Sequence, residues 1–504
     1  MKTENIAIVG AGICGLCTAL ALGSKGHKIT IYERDIPPPE GGAEEAFFDW
    51  KRRGAAQFRH PHAFLGVMCN LLQTLYPDLV EQFWKSGARK LTFKDMLPPE
   101  VAANYIPQPD DEKLWLLLCR RATMETLLRR YVEQIHNVVI ENNTSVMAIE
   151  TQKTDGIPAI SALRLRNSQG SITTVRPDFV VDASGRTSKF PDWFANLGVK
   201  IETEDNDADI VYYTRHYRLR AGESEPPRHS QLRSAGDLGY LKYGIFPGDN
   251  GHFSIIVCLP NHEIELKEAI KDNDLFQSIC MSIPGVEPWI NPTKAEPTTN
   301  SFGFGDIHAV WRHFVQDGVP QILNYFAVGD AAVRTNPLYG RGCSTGILHA
   351  HILADLLHEI GDPKARAIEF DQRTEEALRP IFKTSLNDDR RGKKRAKAVH
   401  NGQELDESSS LKGWFRAAFL DALSAASRDH IHVIRGAMKT FNLMEKPGEF
   451  LKDRHIQWTV LRYLLKGRKR NAGTRLQIGP TRMQMLEQLA AKSTNRDQKQ
   501  LDVA

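Results

Sequence analysis

Ile6-Ala7-Ile8-Val9-Gly10-Ala11-Gly12-Ile13-Cys14-Gly15, continued by the apolar run from Leu16 to Leu22, is the stretch that decides the fold. Four small or β-branched apolar residues predict a short buried strand. A glycine turn follows at once, and then an Ala- and Leu-rich helix. Lys28 to Tyr32 reads as a second strand and ends in Glu33-Arg34. Strand, glycine turn, helix, strand, acid is the order of a dinucleotide-binding βαβ unit. Gly10 allows the tight turn, Gly12 lets a pyrophosphate approach bare backbone, and Gly15 lets the helix lie close to the sheet. The helix N-terminus, with Ile13 and Cys14 in its first turn, offers unpaired N–H groups and a positive dipole end to phosphates. The Glu33 carboxylate suits a ribose 2′-hydroxyl and repels a 2′-phosphate, so the unit favours FAD or NAD over NADP.

The bulk numbers bound what surrounds this unit. A chain of 504 residues exceeds one small core, and two or three domains are expected. Hydrophobic content of 41% and charged content of 25% are those of an ordinary globular protein. A net charge of +4 is too small for a nucleic-acid-binding field over the whole chain. The seven Cys residues lack CxxC spacing and read as reduced, buried thiols of a cytoplasmic protein. Ile6 to Val9 is too short for a signal-peptide core, and no run of about 18 apolar residues suggests a membrane span.

Two further stretches carry chemistry. Phe179-Val180-Val181-Asp182-Ala183-Ser184-Gly185-Arg186 runs a buried strand into a carboxylate and a tight turn, where α/β proteins bind ligands. A turn leading into a helix cap is the plainer reading. Tyr325-Phe326-Ala327-Val328-Gly329-Asp330-Ala331 repeats the pattern. Asn336-Pro337-Leu338-Tyr339-Gly340-Arg341-Gly342-Cys343-Ser344 then opens an apolar helix, Ile347 to Ile360. Asp330 is positioned to accept from hydroxyls such as those of a ribityl chain, and the loop aims helix-terminal N–H groups at something electron-rich. His349, His351 and His358 on that helix read as packing or solvent-facing residues. Gly54 to His62 clusters Gln57, Arg59, His60 and His62, either as a loop touching cofactor or substrate or as a solvated loop. His60 and His62 lack acidic or Cys partners nearby, so no metal site is expected.

Between about 200 and 300 the texture changes. Val211 to Leu219, Leu238 to Phe246 and Phe253 to Leu259 are β-rich, and Pro247 to Gly251 is a hairpin turn. After about 362 the chain is helical and basic. The amphipathic stretches Trp414 to Ala426, Ile431 to Met444 and Ile456 to Leu465 read mainly as helices covering a core, with a membrane surface or a partner as the lesser reading. The last ten or so residues read as disordered. The expected architecture is α/β: a Rossmann-like domain from 1–195 and 300–362, an inserted antiparallel β-sheet domain for substrate over 196–299, and a helical region over 363–504.

Together the three glycine stretches resemble the FAD-dependent monooxygenases of the p-hydroxybenzoate hydroxylase fold. That superfamily also holds flavin epoxidases, flavin halogenases and geranylgeranyl reductases. The resemblance runs through the first ~360 residues in the family's order: GAGICG with Glu33-Arg34, Arg121 opening a helix, DASGR at 182–186, and GDA with NPLYGRG at 329–342. Gln57 to His62 also resembles the Gln-x-x-His-x-His loop of the epoxidase-like and polyketide-hydroxylase-like branch.

The resemblance implies FAD as cofactor and residue roles with it. Glu33 would hold the adenosine ribose, Arg34 and Arg121 would support ribose and pyrophosphate, and the Val146 backbone would touch adenine. Asp330 would lie near pyrophosphate and ribityl. Gly340, Gly342, Cys343 and Ser344 would follow the flavin ring, with Asp182, Gly185, Gly329 and Pro337 in the flanking turns. Cys343 would be a packing residue or, less simply, a covalent or redox one. The implied activity is monooxygenation of an aromatic or alkene-containing small molecule by O2 through a C4a-(hydro)peroxyflavin. Electrons would come from NAD(P)H or from reduced flavin made by a partner flavin reductase. Arg59, His62 and Tyr243 are pocket candidates, and no catalytic side chain is assigned. The alternatives are a reductase or dehydrogenase acting on carbon–carbon bonds, a halogenase-like enzyme, and a non-catalytic flavoprotein docked by its basic tail. Asp182-Ala183-Ser184-Gly185 stands where the family's usual Asp-Gly pair occurs, as in the halogenase and reductase branches. The halogenase signature Trp-x-Trp-x-Ile-Pro is absent.

Overall fold

Strand β1 (Asn5–Val9), helix α1 (Ile13–Gly23) and strand β2 (Lys28–Tyr32) form a parallel βαβ unit, with Ile6 opposite Ile29 and Val9 opposite Tyr32. Helix α2 (Arg121–Glu133) leads to β3 (Val138–Glu141), which extends the sheet beside β2. On the other side of β1 lies β4 (Phe179–Asp182), and beyond it β5 (Tyr325–Ala327), which is followed by helix α3 (Gly342–Glu359). The order β5-β4-β1-β2-β3 is parallel throughout. Its central strands β1 and β4 read as apolar runs because both of their faces are covered: Ile8, Val180 and Val181 have no exposed surface. The computed structural model describes residues 3–403, 410–473 and 478–501.

The chain forms two compact units. One comprises Met1–Ala88, Cys119–Asp207 and His308–Asn387, and the other Arg89–Leu118, Ala208–Ile307 and Asp388–Ala504. The three regions expected from sequence therefore become two, with different borders. Residues 89–118 belong with the second unit because Phe93, Leu97 and Leu114 form a buried cluster with Ile434. Asp111 fixes the same contact by taking two hydrogen bonds from Arg435, at 2.7 and 2.9 Å. The basic tail is not a separate body, since Met485 and Leu489 are buried in the core of the antiparallel sheet. The first unit keeps residues 308–387 because His308–His313 pairs with Glu202–Asp207.

In the second unit Lys242–Pro247, His252–Pro260 and Ile210–Leu219 are neighbouring antiparallel strands. The hairpin at Pro247 to Gly251 closes as its sequence indicates, the His252 N–H donating to the Asp249 carbonyl at 2.9 Å. Helices α4 (Leu411–Asp429) and α5 (Arg454–Leu465) match the amphipathic stretches and pack through Ala422, Ala426, Ile456 and Val460. Part of the polar linker read at 401–410 lies outside the described residues. The tail read as disordered is instead helical from Arg482 to Leu501, anchored by Met485 and Leu489, while 502–504 lie outside the described residues. Among the described residues no helix is long and apolar enough to cross a membrane.

The glycine turn is held to tight tolerances. A Cβ on Gly15 would stand 2.0 Å from the Gly10 carbonyl oxygen, a backbone atom that cannot step aside. Gly15→Ala should therefore destabilise the first unit by about 3 kcal/mol through overpacking, read as a lower midpoint in urea denaturation.

Candidate functional site

Three turns meet at one edge of the parallel sheet. The Gly10 N–H donates to the Tyr32 carbonyl at 2.9 Å, the Ala183 N–H to the Val9 carbonyl at 3.0 Å, and the Val328 N–H to the Asp182 carbonyl at 2.9 Å. GAGICG, DASGR and GDA thus lie side by side at the carboxyl ends of β1, β4 and β5. The strand order reverses beside β1, the position at which open α/β sheets bind their ligands.

The residues at this edge fit an extended dinucleotide. A Cβ on Gly12 would meet nothing within 4 Å, so space lies open in front of that backbone. Helix α1 begins at Gly12 without a side-chain cap, and α3 begins after Arg341 in the same way. Two helix N-termini therefore present uncapped amides. The Asp330 carboxylate takes no hydrogen bond from the described residues. Burial pushes its pKa above the ordinary value, against the pull of Arg334, Arg121, Arg186 and Arg312. Arg129 has no exposed surface, and its Nη1 has no hydrogen-bond partner among the described residues. Hydroxyl donors, an anion and an acceptor are the groups these features await.

Behind the turns lies a buried ion network. Arg52 reaches Glu33 at 3.2 Å, Asp35 at 3.0 Å and Glu125 at 2.7 Å, and donates to the Ala11 carbonyl at 3.3 Å. Glu33 in turn accepts from the Ala11 N–H at 2.8 Å and the Asp35 N–H at 2.9 Å. Burial opposes the Arg52 cation, but Glu125, Glu33 and Asp35 outweigh it and hold the guanidinium charged. Burial would likewise raise the Glu125 carboxyl, and Arg52 with Arg121 holds it below the ordinary value. Arg121 extends the chain, donating to Glu125 at 3.0 Å and meeting His62 Nε2 at 2.8 Å.

That last contact fixes a tautomer. His62 Nδ1 lies 2.8 Å from the His60 carbonyl, which can only accept. Nδ1 therefore carries the proton and Nε2 accepts from Arg121. Burial, and then the Arg121 charge, hold the His62 pKa well below its ordinary value, so the ring is neutral.

The remaining residues singled out from sequence fall into distinct places. Ser344 accepts from the Leu65 N–H at 3.1 Å, and Gly340, at φ +65°, faces Ala63. The Gln57-to-His62 loop and the NPLYGRG loop are thereby locked together. Pro337 opens a single 3₁₀ turn capped by the Asn336 side chain. Cys343 is buried beside Asp330 and Arg121, and burial pushes its thiol up to about 11, so it is neither ionised nor a nucleophile at neutral pH. Cys14 wedges between Gly329 and Gly346. Asp182 turns inward to Ser184, Ser188 and Tyr325, shaping the DASG turn, which Gly185 closes at φ +73°. Val146 starts a bulge, pairing with Leu165 while Ala148 pairs with Arg164. Arg34 is exposed and donates to the Arg53 carbonyl at 3.4 Å.

Two pocket candidates have their polar groups engaged on backbone carbonyls. Arg59 is exposed and donates to the carbonyls of Phe47 and Phe48, capping the last turn of the helix Ala43–Asp49. Tyr243 sits in the second unit's sheet core, its hydroxyl donating to the Arg233 carbonyl at 3.3 Å. His349 packs as read: it stacks on Phe370, accepts from the Gly329 N–H at 3.3 Å and lies 3.0 Å from Thr374 Oγ1. Arg52 and Glu125 escaped the sequence reading, although Arg121 and Glu125 stand at helical i, i+4 spacing. Among the described residues His262, Glu263 and His400 bring ligand atoms within 4.8 Å of one another, but Arg482 already holds both Glu263 oxygens, at 3.0 and 2.9 Å.

Comparison with known proteins agrees with this geometry. The description of NAD(P)-binding Rossmann-like domains matches residues 8–38. Protein Rv3254 of Mycobacterium tuberculosis is 25% identical over 362 residues, 69% of this chain and 71% of that protein. An FAD-dependent monooxygenase of Aspergillus terreus is 24% identical over 381 residues, 70% of this chain and 77% of that protein. Among solved structures, a flavoprotein/dehydrogenase of Cytophaga hutchinsonii superposes with a TM-score of 0.60 at 12% identity, covering 92% of this chain and all of that one. The flavoprotein fold expected from the three glycine stretches is the fold of this chain.

Arg52→Met should cost about 3–5 kcal/mol in chemical denaturation, because it leaves three buried carboxylates facing one another. His349 sets a pH dependence. Burial lowers its pKa to about 3, against ~6.5 in an unfolded chain. The stability it confers is complete above ~6.5 and falls as the pH drops toward its native pKa, by up to ~1.4 kcal/mol per pH unit. His349→Phe should flatten that part of the stability–pH curve.

Proposed function

We propose that this chain, built on the flavoprotein fold, binds FAD in its first unit and inserts one oxygen atom from O2 into an aromatic or alkene-containing small molecule. One observation carries the reading: three glycine turns and two uncapped helix N-termini converge on the same sheet edge, in a relative of an FAD-dependent monooxygenase.

Bound FAD would supply two-electron redox chemistry and activation of O2. This chain's residues would bind, orient and charge the site. The amides of α1 and the bare backbone of Gly12 are proposed to take the pyrophosphate. Glu33 is engaged by the Ala11 and Asp35 amides and by Arg52, and a carboxylate has about four acceptor positions, so a ribose hydroxyl can still donate to it. Asp330 is proposed to accept from the ribityl chain, and the first amides of α3, at Gly342 to Ser344, to favour negative charge on the ring. Arg121 would bring positive charge near the phosphates. His62 has both ring nitrogens engaged, so it would orient Arg121 instead of transferring a proton. With Cys343 a neutral thiol, the flavin would be held without a covalent bond. A dry pocket and orientation, not an acid–base pair, are what such chemistry asks of the protein.

A second reading is a reductase or dehydrogenase acting on carbon–carbon bonds. The Asp182-Ala183-Ser184-Gly185 turn and the likeness to a flavoprotein/dehydrogenase favour it. Oxygen separates the two. Protein loaded with FAD and supplied with NADPH, or with NADH and a flavin reductase, should consume O2 and release peroxide when no substrate is present. Turnover of an unsaturated substrate in strictly anaerobic conditions would favour the second reading. Gly12→Val should keep its unfolding midpoint within about 1 kcal/mol of the parent and lose the yellow colour. A variant that stays yellow would remove Gly12 from the binding site.

A further inference from the structure

Helix α5 is apolar on two opposite faces. Its inner face, Ile456, Val460 and Tyr463, is buried against α4. At about 100° per residue, Trp458, Leu461 and Leu465 fall within roughly 60° of one another on the far side. They are 64%, 42% and 81% exposed. A surface helix normally turns charged and polar residues outward. Here the outward stripe is Trp and Leu, with Arg454 on the same line and Arg462 beside it. The start of α4 adds Leu411, Trp414 and Phe415 at i, i+3, i+4, which are 76%, 41% and 59% exposed.

The charge carried by α5 and the residues just after it is of one sign. Residues 454–470 hold six Lys and Arg and no Asp or Glu, in a chain whose totals are nearly balanced at 65 and 61. Asp453, just before them, spends its carboxylate on the amides of His455 and Ile456 as the helix cap. Of the six cations, Arg468 alone pairs with a carboxylate among the described residues, Asp421 at 3.3 Å. Lys466 lies over the Tyr463 ring beside the most exposed leucine. Long cationic side chains beside an indole and leucines suit the polar–apolar boundary of a bilayer: stems and rings sit in the interface while the charges meet lipid phosphates.

We propose that this face of the second unit docks peripherally on a membrane surface rich in anionic lipid, with Trp458, Leu461 and Leu465 entering the headgroup–acyl boundary. Charge complementarity selects this occupant over a second copy of the chain, since two such faces would bring like charges together. The inference is independent of the reaction proposed above.

The test uses the full chain and vesicles of phosphatidylcholine, alone or with about one third phosphatidylglycerol. Co-sedimentation with the anionic vesicles should be at least about tenfold stronger than with neutral ones and should weaken with added salt. Arg462→Gln combined with Lys466→Gln should reduce it several-fold. Leu465→Glu should abolish it, with the unfolding midpoint and absorption spectrum unchanged because the position is exposed. Brominated acyl chains should quench the parent more than Trp458→Phe. The proposal is overturned if both vesicle types bind equally, if Leu465→Glu binds like the parent, or if size exclusion shows a dimer that Leu465→Glu dissolves.

Discussion

Everything at the sheet edge leans on Arg52. Its guanidinium is withdrawn from solvent and shared among Glu33, Asp35, Glu125 and the Ala11 carbonyl. Three buried carboxylates cannot remain ionised near one another without such a partner. Arg52 also holds Glu33 against the Ala11 amide, which shapes the glycine turn from behind. The same network passes through Glu125 and Arg121 to the neutral ring of His62. One hydrogen-bonded chain thus runs from the acid at the end of β2 to the loop beside the start of α3. Buried ionic networks of this kind add little net stability and a great deal of geometric definition, which is what a site for a long, flexible dinucleotide needs.

The packing of α1 on α3 serves the same end by other means. Cys14 fills the hollow that the missing side chains of Gly329 and Gly346 leave, and neither glycine could gain a Cβ without striking the sulfur. The GDA turn is then held from two sides, by this thiol and by His349, whose Nδ1 takes the Gly329 N–H. Asp330 next to it has a carboxylate that takes no hydrogen bond from the described residues, on a rigid mount.

Much of this was legible in the sequence because its signals are local. A glycine turn between a strand and a helix announces itself within ten residues, and three such turns in order name the fold. What escaped reading depends on partners far away in the chain. Arg52 looks like any loop arginine until Glu125 is brought to it. Arg59 sits in a polar cluster that suggests a pocket, yet its donors go to the end of a helix a dozen residues earlier. Residues 89–118 give no hint that they belong with Ile434 and Arg435, more than three hundred positions on. The outward stripe of α5 was visible as an amphipathic pattern. Its orientation was not, since periodicity cannot say which side of a helix the core will choose.

The lock between Ala63 and Gly340 has a consequence for how such sites diverge. A β-carbon at 340 would stand 2.7 Å from that of Ala63, so the two positions share one allotment of volume. The Leu65–Ser344 bond keeps the loops from parting to make room. Enlarging either residue pushes on both loops at once. Descendants of this sequence are therefore free to vary around the site but must keep 63 and 340 small as a pair, and a lineage that loses one of them inherits a remodelled wall.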